Sequence, residues 1–375
     1  MTILGKSITQ TYYESPIAYS YFLGCSGGGR QGLEIAQRYP ESYDGILAVA
    51  PAIAIEKFIP AAYWGMQVMK NLDYYPPPCE IEGFTQEAIS VCDALDGLED
   101  GIISDSDLCD FSAHDIVGKS FSCDGTTLQY TSAGAEAVEA AWKGTRALLG
   151  NTGWYGLSKD ASLTSVYLAT RCPTNSTSHC TASSSELISG WLKYFIAKDP
   201  DWNVSTMTDE EFFEHLKYSA TEYGPILGSS SPDLSSFYAA DGKMVTWHGT
   251  ADEVIPINGA IAYYQRVLAM DANTPDYYRF FEAPGVGHCI GGNGPIPNSA
   301  FDALVAWVEA GEAPRTLTAT SQNGNGETRP LCPYPQKQRY FEEEGLSGVF
   351  KCSDMTAEPA KEFLVQGSAL GRKAY

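Results

Sequence analysis

The sequence YSYFLGCSGG at residues 19–28 combines a short apolar and aromatic run with a serine that glycines flank. The run from Tyr19 to Leu23 predicts a strand, and Gly32 to Tyr39 predicts a helix with apolar side chains available for packing. Between them, Gly24-Cys25-Ser26-Gly27-Gly28 fits the pattern G-x-S-x-G, in which glycines permit a strained turn that exposes a serine hydroxyl. Ser26 is therefore the candidate nucleophile.

A phosphate-binding loop is the alternative interpretation of these glycines. No lysine follows in the P-loop position, and the third glycine of a dinucleotide fingerprint is wrongly spaced. The rest of the chain favours the nucleophile, because further strands and helices alternate along it and imply an α/β sheet. The predicted strands are Ile46 to Ala50, Lys243 to Trp247 and Tyr277 to Phe281, and the predicted helices are Ile257 to Ala269 and Ala300 to Glu309.

A serine nucleophile needs a base and a carboxylate that orients the base, and in α/β-hydrolases they follow in the order Ser, Asp/Glu, His. Asp252 lies in the loop after one predicted strand, and His288 lies in a glycine-bounded loop after the last one. For His248, at a strand end, local hydrogen bonding is the main interpretation and a supporting or substrate role the alternative. The other histidines fall in a predicted insertion: His114, His179 and His215.

The segment between the two halves of the predicted sheet is aromatic, rich in Ser and Thr, and contains helical patterns such as Ala133 to Leu148 and Asp209 to Tyr218. We predict that residues 1–52 form the first part of an α/β-hydrolase core. Residues 53–235 form a large inserted lid domain, and residues 236–375 form the second part of the core with a tail rich in Pro, Gly and charge.

Ten cysteines without paired C-x-x-C units argue against a zinc module and for about five disulfides, which form in oxidising compartments. We therefore expect a secreted protein, and glycosylation sequons at Asn175 and Asn203 agree with this. Cys25 precedes Ser26 and Cys289 follows His288. A disulfide between them would hold their Cα atoms about 5.5 Å apart and bring nucleophile and base together; the alternative is that each pairs elsewhere.

The net charge of -22 would repel nucleic acid and anionic membrane surfaces, so neutral or sugar-linked substrates fit better. No stretch suits a membrane span. The start of the chain, from Met1 to Lys6, has neither the basic stretch nor the long apolar run of a signal peptide. Because the cysteines predict secretion, we expect the N-terminus to be missing.

An acidic stretch between Cys92 and Ile102 carries carboxylates at short spacing, with glycines that allow tight turns. Calcium prefers such oxygen ligands, although the spacing is not that of an EF-hand. A solvated acidic loop is the alternative, and Cys92 and Cys109 could form a disulfide that closes the loop. The calcium ligands would be side-chain oxygens of Asp93, Asp96 and Asp100 and backbone carbonyls of Leu98 and Ile102.

These motifs together resemble the tannase and feruloyl esterase family, which includes a bacterial hydrolase of mono(2-hydroxyethyl) terephthalate. The matching segments are residues 24–32, 38–40, 43–46, 93–103, 248–252 and 287–289. The resemblance implies a catalytic triad of Ser26, Asp252 and His288, the disulfide Cys25–Cys289, and structural calcium at the loop ligands named above. It also implies the disulfides Cys92–Cys109 and Cys332–Cys352, while Cys79–Cys123 and Cys172–Cys180 are guesses.

The chain departs from the family pattern at its start. Family members carry about half of their sheet before the nucleophile strand, whereas Ser26 follows close behind Met1. We therefore expect a partial sheet in a truncated chain. Gly27 would supply one oxyanion N–H, and the second donor is expected in a glycine-rich loop outside this sequence.

The predicted function is a serine carboxylesterase that cleaves aromatic acid esters, with feruloyl groups on plant cell-wall polysaccharide as the leading substrates. Gallate esters, as in tannases, are the alternative. Two non-enzymatic alternatives are an inactive truncated hydrolase that binds aromatic ligands and a calcium-dependent cell-wall binding module. The sequence predicts no nucleic-acid or membrane partner, and it does not determine the oligomeric state.

Overall fold

The computed structural model describes residues 1–150, 153–174, 176–183, 185–322, 326–342 and 348–354. The sequon residue Asn175 and the end of the predicted tail, residues 355–375, lie outside the described residues. The α-helices are α1 Thr2–Tyr13, α2 Gly27–Arg38, α3 Ile55–Ala61, α4 Trp64–Asn71, α5 Pro78–Cys92, α6 Ser132–Lys143, α7 Arg146–Leu149, α8 Glu186–Gly190, α9 Asp209–Leu227, α10 Ser235–Ala239, α11 Ile257–Met270 and α12 Ala300–Ala310.

Twelve strands are found in the described part of the chain. They are β1 Tyr21–Cys25, β2 Gly45–Val49, β3 Ser120–Cys123, β4 Thr126–Gln129, β5 Thr170–Arg171, β6 Thr181–Ala182, β7 Lys243–Gly249, β8 Tyr278–Ala283, β9 Leu317–Thr320, β10 Thr328–Leu331, β11 Lys337–Phe341 and β12 Val349–Ser353. Short 3₁₀ turns cover Asp93–Asp96, Ser106–Leu108, Ala113–Ile116, Val204–Thr206 and Thr274–Asp276, and Trp191–Ala197 is π-helical.

The central sheet has the strand order β1-β2-β7-β8, and all three pairings are parallel. Side chains of successive residues point to opposite faces of a strand, and both faces are covered here. Ile46 and Ala48 pack with Leu33 of α2 on one face. Leu47 and Val49 pack with Trp307 of α12 on the other. The continuous apolar runs in the sequence arise from this double burial.

The described residues between β2 and β7 contribute no strand to this sheet, and β2 pairs directly with β7. The intervening segment does not form an isolated core. Its residues Phe84, Trp142 and Leu192 belong to the same buried cluster as Ile46 and Leu33. The segment therefore packs onto one face of the sheet, and the hairpins β3–β4 and β5–β6 lie within it.

Two helices of this segment differ from the sequence prediction. The helix expected from Ala133 to Leu148 is divided into α6 and α7 at Gly144, which has φ of 63°. A Cβ at Gly144 would lie 2.4 Å from the backbone nitrogen of Gly156, so the close approach of two chain segments requires glycine there. Helix α9 continues to Leu227, beyond the expected end at Tyr218.

Strand β1 lies at one edge of the sheet, and Leu23 in it is 59% exposed. After β8 the chain forms the hairpins β9–β10 and β11–β12, which the disulfide Cys332–Cys352 links. Among the described residues, no helix is both long and apolar enough to span a membrane.

Candidate active site

Ser26 occupies a sharp turn between the end of β1 and the start of α2, with φ of 62° and ψ of -120°. Such a conformation is strained for a residue with a side chain and is typical of functional sites. A Cβ at Gly24 would lie 2.6 Å from the carbonyl carbon of Gly28, so the turn brings these two backbones together. The Ser26 N–H donates to the Val49 carbonyl at 3.0 Å, which anchors the turn to the end of β2.

Asp252 and His288 are directly hydrogen-bonded. The Nδ1 atom of His288 lies 3.1 and 3.0 Å from the two carboxylate oxygens of Asp252. Asp252 itself is only 1% exposed. The backbone N–H groups of Val254 and Ile255 donate to its Oδ1 atom at 2.9 and 2.8 Å. This carboxylate is therefore well supplied with hydrogen-bond donors at the carboxyl end of β7.

A disulfide joins the nucleophile turn to the loop that carries His288. Cys25 and Cys289 are bonded with their Cα atoms 6.0 Å apart, as the sequence analysis expects. In the described residues, no hydrogen bond joins the Ser26 hydroxyl to the His288 imidazole. Catalytic hydrogen bonds are often long or poorly aligned before substrate binds. The lack of this hydrogen bond is therefore compatible with general-base catalysis by His288.

The remaining disulfides are Cys79–Cys123, Cys92–Cys109, Cys172–Cys180 and Cys332–Cys352, the same pairings that the sequence analysis names.

The electrostatics of the pair favour an ionised Asp252 and a basic His288. Burial alone would raise the pKa of Asp252, but hydrogen bonds from His248 and His288 hold it well below its ordinary value. Burial alone would lower the pKa of His288. The hydrogen bond to Asp252 and the charge of Asp252 and Glu253 outweigh that effect, so the pKa of His288 is raised.

Two further side chains hold the His288 loop in place. The backbone N–H of His288 donates to Glu253 at 3.0 Å, and the N–H of Gly285 donates to the Thr250 hydroxyl at 2.9 Å. The sequence analysis assigned no role to Thr250 or Glu253. The signal that could have found them is their position beside Asp252. Loops that follow neighbouring parallel strands lie at the same edge of the sheet, so residues near Asp252 are expected to contact the loop that carries His288.

The acidic loop after Cys92 is folded around its own carboxylates. Asp93 accepts hydrogen bonds from the backbone N–H groups of Asp100, Gly101 and Ile102. Within the described part of the chain, one buried oxygen of Asp96 and one of Asp100 have no hydrogen-bond partner, while the other Asp100 oxygen pairs with Arg329. Buried carboxylate oxygens of this kind fit a hard cation as ligand.

The described residues contain no group of three or more His, Cys, Asp or Glu side chains that could hold a metal ion. A cation at this loop would therefore depend on backbone carbonyls as well as on the carboxylates of Asp93, Asp96 and Asp100. The loop also lies against the catalytic region. A Cβ at Gly285 would lie 2.9 Å from the Ile102 side chain, although the two residues are far apart in the sequence.

Known proteins resemble this chain over most of its length. The family model described as tannase and feruloyl esterase matches residues 1–353. A probable feruloyl esterase of Arthroderma benhamiae is 38% identical over 97% of this chain and 67% of that protein. This chain belongs to the tannase and feruloyl esterase family. A tannase of Aspergillus oryzae is 28% identical, over 90% of this chain and 66% of that protein.

Solved structures of the family have the same fold. Tannin acyl hydrolase from Aspergillus niger superposes with a TM-score of 0.84 at 28% identity, covering 94% of this chain and 68% of that one. Feruloyl esterase B from Aspergillus oryzae superposes with a TM-score of 0.80 at 25% identity, covering 94% and 72%. The predicted family and the α/β-hydrolase fold class are thereby confirmed.

Members of the tannase and feruloyl esterase family are carboxylic ester hydrolases. This chain spans about two thirds of the length of the relatives named above. Within that span lie the nucleophile turn, the acid loop, the base loop and the acidic loop. The roles of Ser26, Asp252, His288 and Gly27 stay predictions, which the next section develops as a proposal.

Proposed function

We propose that this chain is a serine carboxylesterase in which Ser26 is the nucleophile, His288 the general base and Asp252 the acid that orients it. The observation that carries the proposal is the Asp252–His288 hydrogen bond on a loop that a disulfide ties to the residue before Ser26. A strained, glycine-flanked serine beside a histidine and carboxylate is the arrangement that acyl transfer requires.

The reaction proceeds through an acyl-enzyme. His288 Nε2 accepts the proton of Ser26 Oγ as that oxygen attacks the ester carbonyl, and the same proton then passes to the leaving alcohol. Water, deprotonated by His288, next attacks the acyl-enzyme and releases the acid. Asp252 holds the His288 tautomer in which Nδ1 carries the hydrogen, so that Nε2 is free to accept a proton.

Gly27 supplies an oxyanion contact in this mechanism. Its N–H lies in the first turn of α2, where backbone N–H groups have no partner within the helix. A Cβ at Gly27 would meet no atom within 4 Å, so the space next to it is open. One such donor can lower the barrier by about 3 kcal/mol.

The proposed substrates are aromatic acid esters, with feruloyl groups on plant cell-wall polysaccharide preferred. The higher sequence identity to a probable feruloyl esterase than to a tannase, 38% against 28%, favours ferulate. The higher TM-score of tannin acyl hydrolase keeps gallate esters as the second candidate.

We also propose that calcium stabilises the acidic loop and that the protein is secreted. Asp93, Asp96 and Asp100, with the carbonyls of Leu98 and Ile102, would hold the ion, which would neutralise the buried carboxylates there. Five disulfides support an oxidising compartment, because thiols stay reduced in the cytosol. Asn203 is exposed, as a glycosylated asparagine must be.

Hydrolysis of methyl ferulate and methyl gallate by the wild-type chain and its Ser26→Ala variant tests the esterase proposal. We expect activity in the wild type, a loss of at least about 10³-fold in kcat for Ser26→Ala, and unchanged circular dichroism. Ser235→Ala is the control, since Ser235 is an exposed serine at the start of α10. A folded wild-type chain without activity on either ester, or a fully active Ser26→Ala, would refute the proposal.

A further inference from the structure

His248, at the carboxyl end of β7, makes a second contact with Asp252. Its side chain is 0% exposed, and its Nε2 atom lies 3.0 Å from the Asp252 Oδ2 atom. The same Nε2 atom lies 3.1 Å from the carbonyl oxygen of Ile255. Two histidines therefore contact one carboxylate, and only His288 has a place in the acyl-transfer steps.

The surroundings of His248 define its protonation. Nε2 faces two acceptors, so it must carry a hydrogen, while the buried Nδ1 atom has no hydrogen-bond partner among the described residues. A charged imidazolium would leave a buried N–H unpaired at Nδ1, which is costly. His248 is accordingly a neutral donor with its hydrogen on Nε2.

We propose that His248 is a positioning residue that fixes the Asp252 carboxylate in its ionised, inward-facing orientation for His288. The inference rests on the proposed function, because its effect on the reaction is transmitted through Asp252 and His288. The four donors to Asp252 come from both sides: backbone N–H groups of Val254 and Ile255, and the two imidazoles. Loss of the His248 donor would free Oδ2 to rotate away from His288.

The charged and titratable groups near this cluster include Asp160 of the inserted segment, which accepts a hydrogen bond from the Thr250 hydroxyl at 3.4 Å and whose pKa is raised by burial to about 7. Tyr167 of the inserted segment lies near Asp252, and its hydroxyl donates to the Val254 carbonyl at 3.3 Å. Glu253 faces the His288 backbone. Glu282 lies opposite His248 in the sheet register and is paired with Lys337. In the described part of the chain, His248 and His288 are the two side chains that hydrogen-bond to the Asp252 carboxylate.

The matched test compares His248→Met with His248→Gln. Gln places an N–H donor near the position of Nε2, whereas Met has a similar size and no donor. We expect His248→Met to lower kcat/KM by about tenfold to a hundredfold, the factor that one hydrogen bond to a charged group contributes. His248→Gln should recover most of that loss, and the exposed His114→Gln serves as the control.

The pH profile separates positioning from packing. Without the donor, the Asp252 carboxylate is held less firmly against His288 and raises the pKa of His288 less, so the acid limb of kcat/KM moves to lower pH in His248→Met. Equal losses for Met and Gln with an unshifted limb would assign His248 to packing alone and overturn the proposal. A folded His248→Met with wild-type kcat/KM at every pH would overturn it as well.

Nitrogen-15 NMR of the histidines in the wild-type chain tests the hydrogen bond without any activity. We expect the His248 signals, assigned by their loss in His248→Gln, to show hydrogen on Nε2 and none on Nδ1. A charged imidazolium, or hydrogen on Nδ1, would overturn the inference even if the variants fail to fold. An inactive wild type with this NMR signature would refute the esterase and leave the hydrogen bond established.

Discussion

The molecule contains two clusters built around buried carboxylates, the first around Asp252 and the second in the acidic loop. They differ in the hydrogen bonds that the carboxylate oxygens accept. At the end of β7, Asp252 accepts hydrogen bonds on both oxygens from two backbone N–H groups and two imidazoles. In the acidic loop, Asp96 and Asp100 each keep one buried oxygen that no described residue hydrogen-bonds. Both clusters lie in disulfide-linked segments, Cys25–Cys289 and Cys92–Cys109.

This difference indicates what each cluster is for. A buried carboxylate with all its donors supplied by the protein is rigid and ionised, which is what the orientation of a catalytic base needs. Buried carboxylates with free oxygens carry a desolvation cost that a bound cation would remove. The first cluster should therefore control the reaction rate, and the second should control stability through a ligand.

The largest expected effect is that of Asp252→Asn on the first cluster. An amide would favour the wrong His288 tautomer, and we expect kcat to fall by about 10⁴-fold with the fold retained. Ester hydrolysis and circular dichroism measure the two quantities. The exposed Asp201→Asn is the control. A loss of kcat below about tenfold would contradict the role of Asp252, since one ordinary hydrogen bond could account for it.

Removing each disulfide separates the two clusters further. Cys25→Ser with Cys289→Ser should lower kcat/KM by about 10²-fold, because a displacement of about 1 Å between nucleophile and base has that effect. Cys92→Ser with Cys109→Ser should lower the free energy of unfolding by about 3 kcal/mol, as expected for a loop of this length. Its kcat/KM should stay near wild type. Equal losses of kcat/KM in both double variants would contradict the view that only the first cluster controls the reaction rate.

The smallest effect concerns calcium at the acidic loop. At a free concentration one hundred times Kd, calcium binding would add about 2.7 kcal/mol to the free energy of unfolding, so Tm should rise. Thermal unfolding in calcium and in EGTA measures this shift. Asp96→Asn should abolish most of it, whereas the exposed Asp107→Asn should keep it. An identical Tm with calcium and EGTA would refute the calcium proposal.

Much of the sheet could be predicted from local sequence. The strands β2 and β7 are recognisable because both of their faces are buried, which produces uninterrupted apolar runs. The nucleophile turn is recognisable because only glycine tolerates the approach of Gly24 to Gly28. The break at Gly144 was missed, since one glycine inside a helical pattern does not reveal that Gly156 lies against it.

The contact partners within the site were harder to predict. The sequence analysis placed Asp252 and His288 correctly on neighbouring loops, where the structure joins them by a hydrogen bond. The direct contact of His248 with Asp252 was left open, because a histidine four residues before an aspartate has many possible orientations. The turn after β7 folds back so that His248 and Asp252 meet.

The sequence by itself predicted the α/β class and the order of the candidate nucleophile, acid and base, because these depend on residue type and on the period of buried positions. The cysteine pairing came from the family resemblance and, for Cys79–Cys123 and Cys172–Cys180, from guesses. Tertiary structure alone decided that Ile102 lies against Gly285, that Arg329 meets Asp100, and that His248 shares Asp252 with His288. Such contacts join segments far apart in the chain or depend on side-chain direction. They arise only when the sheet and the inserted segment pack together.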